Sequence, residues 1–462
     1  MVVSVDTSEV SGKVKIPTSK SYTIRALMCA ALAKGESEII NPLISDDTEV
    51  AIDVLSKIGV GIRKEDNLWR VSGGNLHAPD MELFCGESAA TLRFMTAVCA
   101  IIPGKCTLTA GPTLTRRPVK ILVDALRKLG VKGSCKGDAP PVIVEGGSLE
   151  GGLTSLPGNV SSQFISALLL VAPFAKKGVR IRLNSLLESR FYVVMTLRCQ
   201  RRFGIKVSKD RDKFAVNRQK YQPAKYKIEG DWSTASYFLA LGALSGELEV
   251  ENLNSASWQG DRVVIDFLRD MGAQVRFAGN SIIVKKAENL KAIKTNLSDC
   301  IDLLPTMAIL AAVAEGTSEF TGIKRARQKE SNRVAAVRDG LRKMGIEVRE
   351  EMDKLTIVGS KQKEAEAEEE EKEEEEEEED GKEDGKEDED MEKADVTEQD
   401  PPSTPIIAID SKNDHRIAMA FGTLGLVVGG ITIEGAECVS KTYPQFWDVL
   451  KSIGGKVKID GE

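Results

Sequence analysis

Histidine is nearly absent. The 462 residues hold two, His77 and His415, so a metal centre built on imidazole clusters is not expected. None of the eight cysteines forms a CxxC pair, and several sit in apolar helical patterns. They read as free, buried thiols of a reducing cytoplasm rather than a disulfide frame or a metal ribbon. Aromatic residues make up only 5%, so the core is aliphatic and no platform for stacking single-stranded nucleic acid is visible. No apolar run is long enough to cross a membrane as a helix. The opening MVVSVDTSEV has no basic stretch followed by an apolar one, so no leader is expected and a cytoplasmic location is.

The net charge of −7 conceals two opposite parts. Residues 361–400 hold 24 acidic and 6 basic side chains, a net of −18. The other residues hold 46 acidic and 57 basic, a net of +11. The body is therefore basic, as proteins that meet phosphates, carboxylates or nucleic acid often are. The segment 361–404 has no apolar face to bury and reads as a disordered acidic insertion.

Internal repetition organises the rest. A polar loop, an alanine-rich apolar helix, a Gly and a strand recur six times, as in SKSYTIRALMCAALAKGESEII and STASYFLALGALSGELEVE. Between them runs a second phrase: a two-sided helix, a Gly, a strand, a turn and a strand, as in RVVIDFLRDMGAQVRFAGNSIIVKK. The helix starts fall near 21, 88, 161, 233, 303 and 415, a period of about 70 residues once the acidic insertion is subtracted. Each unit reads βαβαββ. The alanine-rich helices are apolar on most faces, which places them inside, shielded by sheets.

The loops before these helices, TSKS, CGES, GNVSS, EGDWS, SDCID and KNDH, gather hydroxyls, amides and carboxylates at helix N-termini. Ordinary capping explains those. It does not explain the cations nearby: Lys20 and Arg25, Arg93, Arg116 and Arg117, Lys329 and Arg333, Arg416, and Lys441. A cation at a helix N-terminus opposes the dipole. Their joint reading is a substrate with several anionic groups, held where free backbone N–H groups also point.

The motifs SKSYTIRAL, RRP, SSQF, SRFY, GDWSTASYF, DLLPT, KESNR, NDHR and SKTYP stand in one order and spacing. In this the chain resembles the 5-enolpyruvylshikimate-3-phosphate synthases over nearly its whole length except the acidic block. The resemblance implies an α/β fold, a two-domain inside-out α/β barrel with three βαβαββ units per domain. It places one domain at 19–230 and the other at 1–18 plus 231–462, with hinges near 18–20 and 229–232, steadied by Asp231 and Ser233. It implies transfer of the enolpyruvyl group of phosphoenolpyruvate to the 5-hydroxyl of shikimate 3-phosphate by a monomer, with no metal or organic cofactor, no nucleic-acid partner and no membrane. Residue by residue, Lys20, Ser21, Arg25, Ser161, Ser162, Gln163, Ser189, Tyr192, Asp302 and Lys329 match shikimate 3-phosphate contacts. Lys20, Ala89, Arg117, Gln163, Arg333, Arg416 and Lys441 match phosphoenolpyruvate contacts. Asp302 matches the candidate base, Glu330 the group that moves the C3 proton, and Lys20 a proton carrier for the bridging oxygen; His415 is a neighbour of the site. Cations split between the domains imply closure on anionic substrate.

Three departures stand out. Ala89 occupies a position where many members carry Gly, which is expected to crowd longer ligands such as glyphosate, and Glu87 brings an acid close to the anion loop. Arg325 stands where an Asn is often found. The sister transferase acting on UDP-N-acetylglucosamine carries a reactive Cys near 110–120, where this chain reads AGPTLTRRP.

Overall fold

A computed structural model describes residues 1–360 and 406–460. The acidic insertion expected at 361–404 lies outside the described residues. The described chain is a mixed α/β structure built on six four-stranded sheets of one recurring pattern. In each, a parallel pair at one edge is followed by two antiparallel pairings. In one sheet Gly152–Leu156 runs parallel to Val179–Leu183, which pairs with Lys213–Val216 and then Ser208–Asp210.

Six helices carry the loops singled out above: Lys20–Leu32, Ala89–Val98, Ser162–Val171, Trp232–Ser245, Leu304–Ala312 and His415–Val428. Alanine and leucine favour the helix, and with no polar face to show to water these helices are buried almost all round. The intervening helices bury one face only. Lys120–Arg127, for example, buries Leu122, Val123, Ala125 and Leu126.

Buried apolar side chains form two clusters. One runs from Tyr22 to Ile228. The other joins Val3–Ile16 to residues between Trp232 and Ile453. The second is discontinuous because Val2–Asp6 lies between Ile431–Glu434 and Lys456–Ile459, and Val10–Lys15 lies beside Gly246–Glu251. Two backbone segments connect the cores side by side. Thr18 bridges Gly230, Ser19 N donates to Glu229 O at 2.8 Å, and Asp231 N donates to Pro17 O at 2.9 Å. One close approach sets the site. A Cβ on Gly340 would stand 2.2 Å from the Phe421 ring, so only glycine lets the helix Arg333–Lys343 lie against His415–Val428.

Seven of the eight cysteines are buried and Cys135 is half-buried; all are free thiols. No described helix is long and apolar enough to cross a membrane.

Candidate active site

Five of the six buried helices start at one cleft between the two cores, about 980 Å³ in volume. The starts contribute Lys20, Ser21 and Arg25; Ala89, Ala90 and Arg93; Ser161, Ser162 and Gln163; Asp302; and His415 and Arg416. The sixth, Trp232–Ser245, contributes no lining residue. Its Asp231 accepts from Thr234 N at 2.9 Å as a cap, and Ser233 Oγ donates to Asp261. Arg117, Ser189, Tyr192, Arg325, Lys329, Glu330 and Arg333 complete the wall. Eight cationic side chains face three acidic ones, so the cleft is an anion site by its own balance.

Arg333 is the hub of this wall and is 1% exposed. Its Nη1 donates to Asp302 Oδ1 at 2.6 Å, its Nη2 to Glu330 Oε2 at 2.7 Å, and its Nε to Asp414 Oδ2 at 2.8 Å. Asp414 also caps the last buried helix, accepting from Arg416 N at 3.0 Å. One planar guanidinium thereby positions both proposed acid–base carboxylates, which a lysine's point charge could not do.

Asp302 joins the two cores. Tyr192 Oη, from the first, donates to its Oδ2 at 2.7 Å, while Lys329 Nζ lies 3.1 Å from Oδ1. Burial pushes this carboxyl up, but Lys329, Arg416 and Arg333 outweigh it and hold Asp302 well below the usual carboxylate range. Glu330 behaves alike: burial raises it, and Arg333 and Arg117, the latter 3.6 Å away, bring it well below. Both are therefore carboxylates at neutral pH. Burial, assisted by Arg333, brings Lys329 down to about 8 against the pull of Asp302. Burial and the charges of Lys20 and Arg416 keep His415 neutral, and neither ring nitrogen has a hydrogen-bond partner among the described residues.

Other cleft residues also bond to the protein. Arg25 is 2% exposed and donates to Thr196 Oγ1 at 2.8 Å, Ser21 O at 2.9 Å and Tyr192 O at 3.2 Å. Arg93 donates to Gln163 Oε1 at 2.6 Å and Ser161 Oγ at 3.2 Å, orienting the SSQF segment. Ser189 has the left-handed φ of 50°, a conformation that costs a non-glycine residue of order 1–3 kcal/mol and clusters at functional sites. Arg325 holds it there. Its Nη1 donates to Ser189 Oγ at 2.9 Å and its Nε pairs with Glu188 at 2.5 Å, across the two cores.

Three sequence expectations need correction. Lys441 does not line this cleft. It is buried, its Nζ has no partner among the described residues, and it lines an adjoining cavity that shares Asp47 with the cleft. Glu87 does not trouble the anion loop: its carboxylate accepts from Leu114 N at 3.0 Å, Thr113 N at 3.2 Å and Thr113 Oγ1. The loop before Trp232 opens no site. Sequence reasoning also missed Asp47, whose Oδ2 lies 2.8 Å from Lys20 Nζ. In the sequence, Asp46 and Asp47 look like dipole-favouring acids in a first helical turn.

A family model described as EPSP synthase (3-phosphoshikimate 1-carboxyvinyltransferase) matches residues 5–369 and 387–450. A 3-phosphoshikimate 1-carboxyvinyltransferase of Dehalococcoides mccartyi is 44% identical over 461 residues, 99% of each chain. One of Methanothermobacter thermautotrophicus is 37% identical, covering 97% of each. The structure of EPSP synthase from Acinetobacter baumannii superposes with a TM-score of 0.75 at 25% identity, over 99% of this chain and 100% of that one. With its motif residues gathered on one cationic cleft and the family model spanning both cores, the chain belongs to the EPSP synthase family.

Proposed function

We propose that the chain transfers the enolpyruvyl group of phosphoenolpyruvate to the 5-hydroxyl of shikimate 3-phosphate and releases phosphate. The observation that carries this reading is the pair of ionised carboxylates, Asp302 and Glu330, held 2.6 and 2.7 Å from one buried guanidinium in a wall of cations. Asp302 takes the proton of the 5-hydroxyl as its oxygen bonds to C2; Glu330, which takes up a proton from solvent once anionic substrate neutralises the cations beside it, supplies the proton that C3 gains. The C2–O bond to phosphate then breaks, Lys20 protonates the departing oxygen, and C3 returns its proton to Glu330. Asp302 is a weak base while surrounded by bare cations. Anionic substrate neutralises them, and its carboxyl rises toward the range useful for proton transfer.

Ser161, Ser162, Ser189, Lys329 and Tyr192 hold the shikimate phosphate and ring, Ser21 and Arg25 its carboxylate, and Gln163 lies between the two substrates. Arg117, Arg333 and Arg416 hold phosphoenolpyruvate beside Ala89. We read the architecture as six βαβαββ units in an inside-out barrel of two domains, 19–230 and 1–18 with 231–462, working as a cytoplasmic monomer. The test is phosphate release on adding phosphoenolpyruvate with shikimate 3-phosphate, with UDP-N-acetylglucosamine, or alone; release with anything but the first pair refutes the reading.

Three outcomes follow from particular residues. As pH climbs through about 8, Lys329 loses its charge, so kcat/KM for shikimate 3-phosphate falls tenfold per pH unit above that value. Bound phosphate raises the ammonium, so the kcat limb lies higher. Lys329→Arg removes the kcat/KM limb, because a guanidinium stays charged; an unaltered limb in that variant excludes Lys329. Ala89→Gly removes a methyl from the cleft wall and increases glyphosate inhibition, lowering its Ki by about tenfold or more, with a smaller change in KM for phosphoenolpyruvate. Equal Ki values would sink the steric account. Both substrates together shrink the radius of gyration in small-angle scattering as opposed cations are neutralised; an unchanged profile counts against closure.

A further inference from the structure

The basic surplus of the body sits almost wholly on one stretch of chain. Residues 176–227 hold 16 Lys and Arg against 3 Asp and Glu, a net of +13, so the rest of the body outside 361–400 nets −2. All sixteen cations are exposed. Most lie on the sheet containing Val179–Leu183, on the helix Arg190–Arg202 and on the segments beside them, away from the substrate cleft except at that helix's start, while Lys225 and Lys227 belong to the strand beside Gly35–Ile40.

Strand alternation sorts this surface. Val179, Ile181 and Leu183 point into the core, while Arg180 and Arg182 point out, opposite Ala215 and Lys213 of the neighbouring strand. With Leu153, 61% exposed on the edge strand, they wall a shallow groove of about 830 Å³. A second groove of about 1100 Å³ lies between the Arg190–Arg202 helix and residues 204–207, lined by Arg198, Arg201 and Lys206. The 205–210 segment joins the two. Some of the cations are committed: Arg190 pairs with Asp299, Lys225 with Glu38, and Arg198 stacks on Trp258. Arg180, Arg182, Lys206, Lys209 and Lys213 form no ion pair among the described residues. A folded chain does not concentrate unpaired like charge without cost, since self-repulsion destabilises the compact state.

We propose that this double groove is the docking surface of the chain's own acidic segment, residues 361–400. The charges are complementary, −18 against +13. Length permits it. Forty-five residues lie between Ser360 and Ile406, both ends in the second core, and a loop of that length reaches about 75 Å at its midpoint. A chain of this size has a radius of gyration of about 23 Å. The tether selects this occupant over free polyanions, because it presents the acidic segment at an effective concentration of about millimolar. The central part of the segment, 370–386, falls between the two stretches that the family model matches, while the basic surface lies inside the first of them.

Carbodiimide cross-linking of the intact chain tests this, since it joins carboxylates to amines only in direct contact. Expected are links from glutamates of 361–400 to Lys206, Lys209 and Lys213, in about fivefold excess over links to Lys285 and Lys294 of the second core. Raising NaCl from 0.05 to 0.5 M lowers them about fivefold, because exposed pairs are screened. The triple variant Arg180→Glu, Arg182→Glu, Lys213→Glu loses the links to Lys206 and Lys209 to a similar extent. Links spread evenly over all exposed lysines overturn the proposal, as do links that resist salt. Links joining isotopically heavy and light copies in a mixed sample overturn it in favour of a second copy. The salt and isotope arms use the unaltered chain and decide the matter even if the variant misfolds.

Discussion

Asp302→Asn lowers kcat by about a thousandfold, within the range that a general base supplies. Asparagine keeps the shape and can still accept from Tyr192 Oη, now 2.7 Å from the carboxylate, but it cannot take a proton. It also withdraws the negative charge beside Lys329 and Arg416. Lys329, already brought to about 8 by burial, loses the carboxylate that most favours its protonated form and becomes largely neutral at pH 7.5. kcat/KM for shikimate 3-phosphate therefore falls further than kcat, whereas a variant merely short of a base lowers the two equally. Because Lys329 can discharge, the fold survives, and thermal melting should shift by only a few degrees. Less than a tenfold drop in kcat, with the melting curve preserved, would remove Asp302 from the role of base.

The second large effect is on stability. Arg333→Met leaves Asp302, Glu330 and Asp414 buried around an apolar side chain, and breaking a buried pair from one side costs about 3–5 kcal/mol. Its pH dependence identifies the cause. In the unaltered chain Asp302 and Glu330 titrate below their ordinary range, so their contribution is full above pH 5 and is lost as pH falls through the acid range. Without Arg333, burial is expected to carry the carboxyls of Asp302 and Glu330 upward. The folded form then binds protons that the unfolded form does not, and stability rises as pH falls from 8 to 5. Urea unfolding should then show stability rising from pH 8 to pH 5 in the variant, while these carboxylates leave the parent level over that window. Parallel slopes would mean that Arg333 contributes packing rather than charge pairing.

Much of this arrangement was legible in the chain. The buried helices begin at Lys20, Ala89, Ser162, Trp232, Leu304 and His415, each within one residue of where polar loop gives way to alanine-rich pattern. That boundary is local, set by capping chemistry and helix propensity, so sequence carries it. The gathering of SSQF, KESNR and NDHR in one cleft follows once helices with such starts are buried. Pairing partners from distant elements were not legible. Asp47 looked like a dipole-favouring acid and proved to hold Lys20. Glu87 looked like an intruder among anions and proved to cap residues 113 and 114. Arg25, read as a cation for a carboxylate, donates to Thr196, 171 residues away. Each outcome depends on which of several polar groups lies within 3 Å, and no periodicity encodes that. Lys441 went astray because spacing locates a residue along the chain and not on one side or the other of a shared wall at Asp47.

The discontinuity of the second core bears on how the protein is made. Val2–Asp6 leaves the ribosome more than 400 residues ahead of its neighbours on both sides, Ile431–Glu434 and Lys456–Ile459. At about 5–20 residues per second the wait lasts roughly 20–90 s. During it the stretch from Lys20 to Ile228 has all the strands of its own three sheets and can close its core while still on the ribosome. The waiting strand, Val-Val-Ser-Val-Asp, is short and β-branched with both edges open, the kind of segment that pairs with the wrong chain. Completing the second core thus requires Val2–Asp6 to be recaptured by strands made more than 400 residues later.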